Sequence, residues 1–82
     1  MKVHSFYVHL SADKSGNSRT FSYNVNDYVS GYTKINAIFA FGYTYDAGGG
    51  NYFVRQSFNG TTLSVTVTNG DNLQGNVYIF YC

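Results

Sequence analysis

The chain has no proline, no tryptophan and no glutamate, only one cysteine, and charged side chains at just 11% of its 82 positions. Each shortage removes something. A lone Cys82 excludes an internal disulfide, the usual brace of a domain this small. The lack of glutamate, with four Asp and two His in all, leaves little for proton transfer or metal ligation. Five Lys and Arg against four Asp give a formal net charge of +1, too weak a field to gather phosphates or anionic lipid. No run approaches the ~20 apolar residues of a membrane span, and Met1 to Ser5 lacks the apolar stretch of a secretory signal. The expectation is a protein made in the cytoplasm without a signal peptide, open to release by lysis or to assembly into a particle. Neither nucleic acid nor membrane insertion is expected.

What is present favours strands. Nine Tyr, seven Phe and nine Gly, with 44% hydrophobic residues, describe a chain that folds and whose residues prefer extended backbone. One domain over residues 1–82 is expected, with a core thin enough to favour support from a partner. Six segments read as strands. Lys2 to Leu10 alternates His4, Phe6, Val8 and Leu10 against Val3, Ser5, Tyr7 and His9, the first set facing the core. Arg19 to Val25 alternates Phe21, Tyr23 and Val25 against polar residues, and Asn26 to Gly31 reads as a turn or single helical turn. In Tyr32 to Tyr45 one face takes Ile35, Ala37, Phe39, Phe41, Tyr43 and Tyr45, with Gly42 marking a bulge or bend. Asp46 to Gly50 reads as a flexible loop.

Asn59-Gly60 reads as the centre of a two-residue hairpin turn. That register pairs Gln56 with Leu63, Val54 with Val65 and Tyr52 with Val67, and leaves Ser64, Thr66 and Thr68 on a wet face. Asn69 to Gly75 reads as a loop. The last strand, Asn76 to Cys82, is apolar on both faces: Val77, Ile79 and Tyr81 one way, Tyr78, Phe80 and Cys82 the other. A two-layer fold buries only one face of each strand, so a second copy of the chain is expected over the other. Tyr78, Phe80 and Ile38 are the candidate interface of a homo-oligomer. The expected fold class is all-β, a six-stranded antiparallel sandwich, jelly-roll-like or lectin-like.

Catalytic chemistry is sparse. His4 and His9, five apart on one strand, project to opposite faces and cannot chelate one ion. A thiol nucleophile would need Cys82 beside a histidine; packing as a small apolar group is the plainer reading. Asp13, Asp27, Asp46 and Asp71 fall in predicted loops, where turn chemistry competes with an oxygen-rich calcium site drawn from Asp46 and Asn51 or from Asn69, Asp71 and Asn72; neither set has EF-hand spacing. The alternating rings from Phe39 to Tyr43 lack the basic lead-in and helices of an RNA-binding sheet and read as a core row. No enzyme activity, cofactor or metal is expected. Tyr43, Tyr45, Asp46, Asn51 and Tyr52 flank the glycine loop, and their residue types suit a surface glycan: rings for the apolar sugar face, amides and carboxylates for hydroxyls. The alternative is that these tyrosines only rim the core.

Phe21 to Val25, Gly31 to Phe41, Asn59 to Thr68 and the closing strand resemble the small β-sandwich modules of bacteriophage tail fibres and spikes. That resemblance implies a trimer that binds host surface glycans as a structural or host-recognition part. In size and strand count the chain is also similar to the six-stranded H-type lectin sandwich, which implies carbohydrate binding.

Overall fold

In the computed structural model, six strands alternate between two sheets. β1 is Lys2–Leu10, β2 Ser18–Asn24, β3 Ile35–Ala47, β4 Phe53–Asn59, β5 Thr62–Thr68 and β6 Gly70–Tyr81. Residues 1–11, 18–47, 53–68 and 70–82 are described, with the backbone alone at 43–47 and 70–72. The first sheet has the order β1-β6-β3 and the second β2-β5-β4, every pairing antiparallel. Chain neighbours therefore fall mostly in opposite sheets, and only β4 and β5 form a local hairpin. The long dimension of 43 Å matches the thirteen residues of β3 at about 3.3 Å each.

The two sheets share one core. Leu63, Val65 and Val67 of β5 meet Leu73, Val77 and Ile79 of β6, with Val8, Leu10, Ala37 and Phe39 alongside. Both central strands obey the period of two on this side, which is why the inward sets were legible in sequence. The core is mainly aliphatic, and the expected core row of rings holds at Phe39 but not at Phe41. Phe39 is the one buried aromatic among the described residues, and Phe41 is 47% exposed. Phe6, Phe21, Tyr23, Tyr32 and Phe58 pack around the core margin instead.

The seams between the sheets are closed differently. On the β3/β4 side, Gln56 of β4 acts as a short strand: its Oε1 accepts from the Phe39 N–H at 2.7 Å and its Nε2 donates to the Phe39 carbonyl at 2.8 Å. These are edge groups of β3 that point away from β6. On the β1/β2 side, Tyr28 stacks on Phe6 at 4.2 Å, Tyr23 meets Phe6 edge-on at 5.8 Å, and His4 lies 5.8 Å from Tyr28. Tyr28 is placed by a 3-10 turn over Val25–Asp27, capped by the Asn24 side chain, which accepts from the Asn26 N–H.

Several sequence expectations are corrected. The turn of the β4–β5 hairpin is Gly60-Thr61, so Asn59 pairs with Thr62, Phe58 with Leu63, Gln56 with Val65 and Val54 with Val67, two residues from the expected register. Gly60 takes φ +66° at the first turn position, as a Gly-X turn requires, and the Thr61 carbonyl accepts from the Val25 N–H. The shift is even, so the faces survive it. Of the expected loop Asn69 to Gly75, Asn69 lies outside the described residues and Gly70 to Gly75 belong to β6; partner strands on its flanks supply the ladder bonds that outcompete turn chemistry. Gly75 fits there because a Cβ would lie 2.8 Å from the Phe39 ring and run into the Ala40 carbonyl.

β3 also begins later than expected, at Ile35, with Lys34 and Cys82 exchanging backbone hydrogen bonds one pair beyond it, and it runs on through Asp46 and Ala47 opposite Asp71 and Gly70. Within it the register shifts between Phe41 and Tyr43, the bulge expected at Gly42. Phe41 pairs with Gly75 and Tyr43 with Gln74, so β3 advances two residues there against one of β6.

Candidate functional site

Every buried residue of β6 has a neighbour that points the other way. On that outer side the register forms rows: Val3, Phe80 and Asn36; then Ser5, Tyr78 and Ile38; then Tyr7, Asn76 and Ala40. Tyr78 and Phe80 stack at 6.4 Å and are half-buried by their neighbours. Tyr7 is 60% exposed, Val3 59% and Ile38 41%. These three rows hold no charged residue. The structure thus brings the expected set Tyr78, Phe80 and Ile38 together, with Ile38 directly opposite Tyr78, and adds Val3 and Tyr7. The first-strand alternation was the signal for those two, since the residues it excluded from the core must lie outside.

At the chain-terminal end this face runs into a cleft of about 480 Å³ lined by Met1, Lys34, Ile35, Asn36, Phe80, Tyr81 and Cys82. Cys82 is exposed there, not packed as a small apolar group, while its backbone pairs with Lys34 in both directions. It lies three residues past Ile79, the partner of His4, or about 10 Å along the strand, so the two do not form a nucleophile and base. His4 sits in the ring cluster at the core margin and His9 is exposed. In that cluster burial pushes the Tyr23 phenol above its ordinary pKa, and the neighbouring Tyr28 adds to the rise.

The glycine-loop set divides. Tyr43, Tyr45 and Asp46 lie along the far end of β3, whereas Asn51 and Tyr52 lie outside the described residues. Of the calcium alternatives, Asp46 and Asp71 are direct ladder partners, and Asn51 and Asn69 lie outside the described residues. Among the described residues no group of three or more His, Cys or Asp is placed to hold a metal ion, and no helix is long and apolar enough to cross a membrane.

The second sheet presents a contrasting outer face. Its rows are Ser18, Thr68 and Phe53; Thr20, Thr66 and Arg55; Ser22, Ser64 and Ser57; and Asn24, Thr62 and Asn59. Ser18 and Thr68 share a hydroxyl hydrogen bond of 2.7 Å, and Thr20 and Thr66 one of 2.8 Å. The wet side of β5 was expected, but the Phe53 and Arg55 pair beside it was not. An Arg in an alternating strand reads as an ordinary solvent-facing residue until register shows what lies next to it. No family model, curated protein or solved structure matches the chain.

Proposed function

We propose that this chain is a non-enzymatic assembly and recognition module, a six-stranded β-sandwich of jelly-roll-like or lectin-like type that self-associates through the outer face of its first sheet. The observation that carries the reading is the doubly apolar β6. Its inner side is sealed by Val77 and Ile79, while its outer side sets Phe80 beside Val3 and Tyr78 beside Ile38, all four on a face that no other part of the described chain covers. A second copy is the occupant that fits best. The rows carry no charge, so two copies meet there without burying an ion or opposing like charges, and a net charge of +1 gives little repulsion between them.

Area favours more than a simple face-to-face pair. Nine residues along three strands give a plan area of roughly 300 Å², against about 800 Å² per partner in a standard interface. A closed trimer, in which each copy contacts two neighbours, recruits the cleft beside Phe80 and Tyr81 as well. Such a particle suits the structural or host-recognition work of a virion part.

Light scattering over a range of concentrations tests this. The expected mass is three chains for the native protein and one for Tyr78→Lys, with unchanged far-ultraviolet circular dichroism. A native protein that stays monomeric at every concentration rejects the proposal.

A further inference from the structure

The outer face of the second sheet holds a basin of about 510 Å³ lined by Ser18, Phe53, Val54, Arg55, Thr66 and Thr68. A plain solvated sheet explains the hydroxyl rows. It does not explain Phe53, which is 67% exposed with no ring partner among the described residues. Nor does it explain Arg55 beside it, the one charged residue in the four outer rows, which has no carboxylate partner among the described residues.

We propose that this basin binds a carboxylated sugar, with the ring face on Phe53 and the carboxylate on Arg55. Phe53 and Arg55 are two apart on one strand and so share a face, roughly 7 Å from one another. A pyranose stacked on the ring therefore holds an exocyclic carboxylate within reach of the guanidinium, whose planar fork matches it with two parallel hydrogen bonds. The hydroxyl pairs complete the match. Each pair spends one O–H internally and keeps one O–H and several lone pairs, the mixture of donors and acceptors that sugar hydroxyls need. Inorganic phosphate would satisfy Arg55 and leave Phe53 idle, and a neutral sugar would do the reverse.

The site lies on the face opposite the one assigned to self-association, so it stands independently of that reading, and an oligomer would display several copies outward. The test is saturation-transfer NMR and titration of the full chain with methyl glucuronide and sialyllactose, against methyl glucoside, lactose and inorganic phosphate. The carboxylated sugars should bind at least tenfold more tightly than the neutral ones and than phosphate. Arg55→Gln and Phe53→Ala, both at exposed positions, should each weaken that binding tenfold or more with the fold intact. Tyr78→Lys should leave the affinity per chain unchanged even where it changes the mass. No binding of either carboxylated sugar, equal binding of neutral and acidic sugars, preference for phosphate, or full affinity in Arg55→Gln would each overturn the proposal.

Discussion

The two central strands, β5 and β6, are near twins on the inside and opposites on the outside. Leu63, Val65 and Val67 face Leu73, Val77 and Ile79 across one aliphatic core. Outward, β5 carries Thr62, Ser64, Thr66 and Thr68, each finding a polar or wet environment, whereas β6 grades from Gln74 and Asn76 to Tyr78 and Phe80. The inner faces satisfy one requirement, close packing without polar groups, and any aliphatic side chain of the right volume meets it. The outer faces answer to whatever lies beyond the chain, and there the two sheets have diverged.

The largest expected effect tests whether the inner faces are equivalent. Leu63→Ala and Leu73→Ala both empty fully buried sites, one in each sheet, and each should cost about 2–5 kcal/mol in urea unfolding. If Leu73→Ala is much the milder of the two, the first sheet is not packed as tightly as the second.

A smaller effect probes the β3/β4 seam. Gln56→Leu keeps side-chain bulk but strands the Phe39 N–H and carbonyl in a part-buried position, so a loss of about 1–3 kcal/mol is expected. Faster amide exchange at Phe39 should accompany it; an unchanged Phe39 exchange rate would show that the clamp contributes nothing.

The smallest effect belongs to the opposite seam and appears only in alkali. Because burial and Tyr28 raise the Tyr23 pKa above its ordinary value of 10.0, the fold favours the neutral phenol. That contribution is complete below the ordinary value and disappears as pH climbs through the raised one. Tyr23→Phe should therefore flatten the loss of stability in that range, and a variant that loses stability as steeply as the native chain would place the cause elsewhere.

How much was legible varied by element. Lys2 to Leu10 emerged with its bounds intact, since uninterrupted alternation leaves no choice of period. The polar stretch Gly70 to Gly75 looked like a loop because its composition favours turns, and only ladder partners on its flanks reveal it as strand. Tyr78, Phe80 and Ile38 stood out as a candidate face because each broke the polar alternation expected of an outer position. Phe53 and Arg55 did not, since each taken singly is an unremarkable surface residue.

By itself the sequence determined that six strands form, most of their inward residues and the excess apolar face of β6, because a period of two is a local property of extended backbone. Strand order, the hairpin register and the company each outer residue keeps were decided by tertiary structure alone. Val3 meets Phe80, and Ser18 meets Thr68 and Phe53, through hydrogen-bonded ladders between distant stretches of chain. A short-range pattern carries no record of which distant strand supplies the partner.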